Sequence, residues 1–403
     1  MERWLRNILR FTRKSDFDFM NYFKILTFLE KGNKFLFDIP VEEQKKYLKK
    51  LGKAKNDIDR SYKQYLCQML FVPNWKVYLF DIIAIFLFPI YLLVFLAKGW
   101  IIKPKFRYQV DCICEDRKMP EILPDTFRKE YHISFKEWGH RKYLCSKDVL
   151  FILKCFIQTW SPYMVFKCAV KISEFSYMIH SYRPRAIQEC GEYSFTSSLL
   201  TAYCNDYGVK HINVMHGEKL FYIRDAYFHY DETYIWHEHY KKLFLSMNAE
   251  PSQFIVDVPP SLKIDSSKYS KIAFADYKYY LAGFSEEQIK GVVDSMTFAR
   301  KEGKRVVYRP HPRYSDLELL RKYVKEEYIE IPGNVDIINS IASADYIVGS
   351  FTTVLTQAFL SGKKILLDDM TFKDQYEKVK GMAYFLSSVD ANVLSKKQQI
   401  WKE

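Results

Sequence analysis

Two stretches of this chain carry residue types that suit a phosphate. Val306-Val307-Tyr308-Arg309-Pro310-His311-Pro312-Arg313 closes an apolar run with two arginines and a histidine set between prolines. The prolines fix φ and bar a helix from continuing, so these cations are presented on a turn. Ala344-Asp345-Tyr346-Ile347-Val348-Gly349-Ser350-Phe351-Thr352-Thr353 is a second apolar run, ending in a hydroxyl cluster that opens a helix. Arg309, His311 and Arg313 can hold a diphosphate or a nucleotide phosphate through charge-assisted bonds. Ser350, Thr352 and Thr353 can cap the next helix or donate to a phosphate seated on its free N–H groups.

A second pair of stretches offers proton transfer. In Val214-Met215-His216-Gly217-Glu218 a histidine stands just past a strand, with Gly217 allowing close approach and Glu218 beside it. His216 is thereby placed as a general base toward an acceptor hydroxyl. Glu189-Cys190-Gly191-Glu192 ends another strand of the same unit and supplies rival bases in Glu189 and Glu192. Trp236-His237-Glu238-His239 has a His-x-His spacing but no third ligand near it, so a helix start is expected there. No metal site and no cofactor are expected. The chain has no Gly-rich dinucleotide fingerprint, no NTPase phosphate loop, no Gly-x-Ser-x-Gly and no Asp-x-Asp pair of the sort that metal-dependent sugar transferases use.

The elements that must position these residues alternate between strand and helix from Tyr108 onward. The expected order is a strand over 109–114, a long helical stretch over 148–181 and a strand over 185–189. A helix over 194–207 follows, then strands over 210–215, 233–236 and 255–258. After the Pro259-Pro260 linker come strands over 271–275, 305–308, 329–331, 346–348 and 364–367. Helices over 286–302, 316–327, 335–343 and 353–361 separate them. Such alternation means parallel α/β sheets, with ligands in a cleft at the strand carboxyl ends. The expected fold is two Rossmann-like domains, over 104–258 and 259–403, behind a helical, membrane-associating N-terminal extension.

Composition divides the chain. At 403 residues, 48% hydrophobic, it can bury a large core. Residues 1–150 hold 29 Lys+Arg against 18 Asp+Glu, or +11; residues 151–403 hold 32 against 30, or +2. That segregation fits a membrane-surface arm and not a nucleic-acid binder. The eight scattered cysteines lack zinc spacing and suit a reducing compartment. Met1–Lys14 interleaves apolar residues with arginines, which suits a helix on an anionic bilayer or one packed on the protein body. Within the basic helical region 1–76 no motif is assigned. Ile82–Ala97, inside an apolar segment over 77–103, has no charge across sixteen residues. That is about 24 Å of helix against a bilayer core of about 30 Å. Basic flanks on both sides and Pro89 near the centre favour a monotopic or re-entrant anchor; a true span and a buried helix are the alternatives.

The order His-Gly, Arg-Pro-His-Pro, then a Ser/Thr cluster opening a helix resembles bacterial GT-B-type transferases of surface polysaccharides. The similar groups are the capsule and lipopolysaccharide sialyl- and Kdo-transferases and the CDP-glycerol glycerophosphotransferases of teichoic acid synthesis. The resemblance covers roughly residues 108–390. It implies that Arg309 and His311 bind the donor phosphate, that Ser350, Thr352 and Thr353 hold the same phosphate, and that His216 is the acceptor base. Glu189-Cys190-Gly191-Glu192 approximates the acidic base motif of the sialyltransferases. The function so implied is a metal-independent glycosyltransferase at the cytoplasmic face of the inner membrane. It would move a sugar from a CMP-, CDP- or UDP-linked donor to a lipid-linked or growing cell-surface glycan. A glycerol- or ribitol-phosphate transferase is the alternative enzyme. A non-hydrolysing nucleotide-sugar epimerase is a third option, disfavoured because a soluble epimerase needs no membrane arm, and a non-catalytic membrane scaffold is the alternative of another class.

Overall fold

The computed structural model describes residues 38–102, 106–114, 120–135, 142–264, 274–389 and 392–402. The amphipathic stretch Met1–Lys14 lies outside them.

The chain opens with helices α1 (Val41–Leu51), α2 (Asp57–Met69) and α3 (Asn74–Ile102). The first domain continues through β1 (Cys112–Cys114), α4 (Asp125–Glu130), β2 (Ile133–Phe135), α5 (Ser146–Thr159), α6 (Pro162–Tyr182), β3 (Ala186–Glu189) and α7 (Ser197–Asn205). It ends with β4 (Lys210–Val214), β5 (Glu232–Ile235), α8 (Glu238–Ser246) and β6 (Phe254–Val256). All six strands are parallel, in the order β2-β1-β3-β4-β5-β6.

The second domain holds β7 (Ala275–Tyr280), α9 (Glu286–Ser295), α10 (Thr297–Lys301), β8 (Val306–Arg309), α11 (Leu317–Arg321), α12 (Ile337–Ala342) and β9 (Ala344–Gly349). It continues through α13 (Thr353–Leu360), β10 (Lys364–Leu367), α14 (Lys373–Gly381), α15 (Phe385–Ser388), β11 (Asn392–Val393) and α16 (Leu394–Lys402). This sheet is parallel too, ordered β11-β10-β9-β7-β8. Two parallel α/β sheets behind a helical N-terminal region make a GT-B arrangement of Rossmann-like domains. Parallel strands put every carboxyl end of a sheet on one edge, which gathers the loops after β3, β4, β7, β8 and β9.

Local chemistry sets the element ends. Ser285 and Gln288 form a capping box at α9, and Asp316 and Asp336 cap α11 and α12. The helical stretch over 148–181 is two helices, because Trp160 turns left-handed (φ 49°) before Ser161-Pro162 starts α6. The helix over 286–302 likewise breaks at Met296. The strand over 329–331 shrinks to one bridge between Ile329 and Tyr308.

Of the strand expected over 271–275, residues 271–273 lie outside the described residues, and β7 runs on from Ala275 to Tyr280. Its interior lysine hides it from a polarity pattern. Lys278 is buried and donates to Glu330 Oε2 at 2.6 Å, Ser340 O at 2.8 Å and Ser343 Oγ at 2.9 Å.

The apolar segment is one 29-residue helix, α3, with Pro89 inside it. One face, marked by Phe80, Ala84, Phe88 and Tyr91, is buried against the first domain. Asp81 is turned inward as well, where its carboxylate accepts from Tyr163 N at 3.0 Å at the start of α6.

Residues 38–69 belong to the first domain. Gln64 of α2 donates to Glu192 O at 2.8 Å and to Arg224 O at 3.0 Å, bracing the loops after β3 and β4. Between the domains, Phe221 N donates to Met382 O at 2.6 Å. The His237 and His239 rings lie 4.9 and 5.5 Å from the Phe385 ring.

Candidate functional site

The loop after β4 carries the centre of the first domain's site. Backbone pairing of β4 with β3 and β5 ends at Val214, and the chain leaves the sheet edge through Met215 into His216-Gly217-Glu218-Lys219. His216 Nδ1 lies 3.8 Å from Glu192 Oε1 in the loop after β3. Burial lowers the imidazole pKa below its ordinary 6.5, and the neighbouring Glu192 charge only partly opposes this. His216 is therefore neutral near pH 7, as a base must be.

Glu192 is fully buried and ion-paired with the buried ammonium of Lys219. Burial by itself pushes this carboxyl up. Lys219 and His216 outweigh that and hold Glu192 below the usual carboxylate range, so it stays ionised. An ionised carboxylate beside Nδ1 favours the proton on that nitrogen and leaves Nε2 as the acceptor. The exposed Tyr193 ring stands edge-on to His216 at 6.1 Å, with Arg224 5.4 Å over it.

Glu189 has a different role from the base considered for it. It is buried, accepts from Tyr230 Oη at 2.9 Å and lies 3.3 Å from His211 Nε2. Burial raises its pKa, and His211, Lys171 and Tyr230 more than reverse the shift. It is an enclosed, ionised member of the core. Its inward position follows from β3, whose four residues are all buried.

Glu218 joins the two domains. It accepts from Tyr240 Oη of α8 at 2.9 Å and from Thr356 Oγ1 of α13 at 2.8 Å. Burial raises its pKa to about 7, with the two hydroxyls acting the other way. The contact sets the first turn of α13 against the loop that bears His216.

In the second domain, Thr352 is the N-cap of α13, its hydroxyl accepting from Val354 N at 3.4 Å. Ser350 is half-buried and Thr353 exposed. Gly349 passes so close to the neighbouring strand that a Cβ there would sit 3.3 Å from Tyr280 O.

On the far side of β7, His311 Nδ1 accepts from Arg313 N at 3.1 Å, and its ring stacks on Tyr314 at 4.5 Å. The acceptor role of Nδ1 puts the proton on Nε2, which is thus the donor nitrogen of the ring. Arg313 is exposed on the same turn.

Arg309 is not a ligand-facing cation. It is buried, with one guanidinium nitrogen 2.7 Å from Glu330 Oε1 and another donating to Val335 O at 2.8 Å. Its place inside β8 fixes this, since that strand pairs up to Arg309 and only then leaves the sheet. With Lys278 and Glu330 it forms a buried charge network under the turn.

His311 and the start of α13 flank the end of β7. β8 and β9 pair on either side of β7, so the loops that follow them leave the sheet two strand spacings apart, at about 4.8 Å per spacing.

Lys219, Tyr193 and Gln64 stood out by no motif. Lys219 follows the His-Gly element directly, which is the one signal that pointed toward it. His237 proves to be a helix cap, its Nδ1 accepting from His239 N at 3.1 Å. Among the described residues, Cys145, Asp148 and His180 come close enough to hold a metal. Asp148, however, already accepts from Tyr203, Tyr207, Ser176 and Cys145 N at 2.7 to 2.8 Å, which fills its lone pairs.

No family model and no curated protein sequence matches the chain. Solved structures similar to it include the UDP-GlcNAc 2-epimerase of Methanocaldococcus jannaschii, in complex with UDP-GlcNAc and UDP. It shows 13% identity over 73% of this chain and 92% of that one, with a TM-score of 0.40. The wall teichoic acid polymerase TagF shows 8% identity over 76% and 77%, TM-score 0.36. The glycotransferase of kitacinnamycin shows 9% over 69% and 84%, TM-score 0.39. Likenesses of this size carry no argument about chemistry, which rests on the residues above.

Proposed function

We propose that this protein is a transferase that takes a nucleotide-activated donor in its second domain and passes a group to an acceptor hydroxyl held at His216. The observation that carries the reading is the Glu218–Thr356 bond. It brings the start of α13, with its free N–H groups and hydroxyls, to the loop of a neutral histidine backed by an ionised carboxylate. His216 Nε2 takes the acceptor's proton, while Glu192 stabilises the imidazolium that forms. His311 Nε2, Arg313 and the 350–353 segment stabilise charge on the departing nucleotide phosphate. The acceptor is a growing or lipid-linked cell-surface glycan, and the group moved is a sugar.

One observation favours a polyol phosphate as the group moved instead. With Glu189 enclosed, the acidic base of the sialyltransferase-like reading is lost and a histidine base is left. Thermal unfolding with CMP, CDP, UDP and GDP tests the reading. One nucleotide should raise Tm, and the rise should vanish in His311→Ala. Turnover of a CDP-polyol, with none of nucleotide sugars, decides for the phosphate. No rise with any nucleotide would overturn both.

A further inference from the structure

Helices α3 and α5 both pack on α6 and meet at Phe88 and Phe156, whose rings are 6.2 Å apart. Their outward faces are apolar. Phe86 and Leu93 of α3 are 70% and 68% exposed, and Leu153 and Ile157 of α5 are 42% and 64% exposed. So large an apolar exposure marks an interaction surface.

Two features identify the partner. Exposed tryptophans stand at the margins, Trp75 and Trp100 toward the ends of α3 and Trp160 just past α5. Indoles so placed suit the water–hydrocarbon boundary, with an apolar ring and a polar N–H. Lys76 lies 5.8 Å over the Trp75 ring, Lys98 lies 5.3 Å over Phe95, and Lys154 is exposed on α5. The +11 excess of the first 150 residues lies in the same part of the chain.

The inner face of α3 decides how it meets lipid. Phe80, Ala84, Phe88 and Tyr91 are buried against protein, and a Cβ at Gly99 would fall 2.1 Å from Leu144 O. A helix held this closely along its length cannot be ringed by lipid.

We infer that the outer faces of α3 and α5 together form one docking surface for an anionic phospholipid bilayer, with α3 lying in the interface and not crossing it. α5 thereby joins a membrane contact for which sequence marked Met1–Lys14 and Ile82–Ala97 but no part of α5. Phe71, just ahead of α3, packs edge-on against Tyr222 at 5.0 Å, so the surface begins beside the loop that carries His216.

Sedimentation of the full chain with phosphatidylcholine vesicles, with and without phosphatidylglycerol, tests this without any nucleotide. Its failure is therefore separate from failure of the transfer reading. The wild type should sediment with the anionic vesicles. Leu153→Glu with Ile157→Glu should weaken that about tenfold or more, at unchanged Tm. Lys154→Glu should weaken it toward the anionic vesicles alone. The inference is overturned if the Leu153/Ile157 variant sediments like the wild type. It is equally overturned if the wild type stays in the supernatant, where a dimer by light scattering would give the surface to a second copy.

Discussion

The Thr356 hydroxyl of the second domain donates to the Glu218 carboxyl of the first across 2.8 Å, and that carboxyl titrates near pH 7. Its ordinary value is 4.5, so between pH 4.5 and about 7 the folded chain keeps a proton that the unfolded chain has lost. Stability must fall as pH rises through that window. At 1.36 kcal/mol per unit the fall has a ceiling of about 3 kcal/mol. Glu218→Gln keeps an acceptor for Thr356 but cannot ionise. Its Tm should decline less than that of the wild type between pH 5 and pH 8. Parallel declines in the two proteins would remove Glu218 as the cause.

His216 and Glu192 predict a pH–rate profile. The base must be deprotonated, so kcat/KM should fall on the acid side with a midpoint below 6.5, the direction in which burial moves His216. Glu192 opposes that shift. Glu192→Gln should therefore move the midpoint to still lower pH while lowering kcat, because the imidazole loses its partner. His216→Ala should cost about 10²- to 10⁴-fold at every pH. A midpoint that stays put or rises in Glu192→Gln would mean that the carboxylate does not act through His216.

Lys219 is predicted to matter through Glu192. Lys219→Met leaves a fully buried carboxylate without its ammonium, and breaking such a pair typically costs 3–5 kcal/mol, about the same here. Lys219→Met with Glu192→Leu removes both charges and should recover most of that stability. Activity should not return, since the partner of His216 is gone. Urea unfolding of the two variants checks this, and equal losses in both would show that the pair is not the source.

The scaffold was largely legible and the site only in part. The strands β8, β9 and β10 are short apolar runs that stop at Pro310, Ser350 and Asp368, so their carboxyl ends and the residues just past them could be read directly. A single side chain's direction could not be. Arg309 and His311 sit two residues apart in one motif, yet the strand buries Arg309 on Glu330 while the turn presents His311. Glu189 and Glu192 are both buried, and their partners, His211 and Lys219, come from β4 and the loop after it. Charge pairing across such distances leaves no spacing to detect. The run of β7 past Ala275 was missed because its buried Lys278 looks solvent-facing until Glu330 is seen beside it.

That division of Arg309 from His311 is testable. Arg309→Met leaves Glu330 with Lys278 and Ser340 but without its guanidinium, and should cost about 1.5–3 kcal/mol, as for a hydrogen bond to a charged group. His311→Ala, half-buried on a turn, should change stability by under about 1 kcal/mol. The nucleotide-induced rise in Tm should be lost in His311→Ala. In Arg309→Met it should survive at any temperature where the variant is folded. Loss of the rise in the folded Arg309→Met protein would return that residue to the ligand.

Ser350 and Thr352 separate capping from ligand contact in the same manner. Thr352 caps α13, so Thr352→Ala should cost about 1 kcal/mol with no ligand present. Ser350 precedes the cap and gives the helix no such bond, so Ser350→Ala should leave the unliganded Tm unchanged. If both hydroxyls donate to a donor phosphate, each variant should bind the nucleotide more weakly by about 1 kcal/mol, or roughly fivefold. Gly349→Ala should weaken binding too, because its Cβ would meet Tyr280 O at 3.3 Å and push the 350–353 segment off its path. Calorimetric titration of the three variants reads this out. Unchanged affinity in Ser350→Ala would reduce the hydroxyl cluster to a helix cap and place the phosphate elsewhere in the cleft.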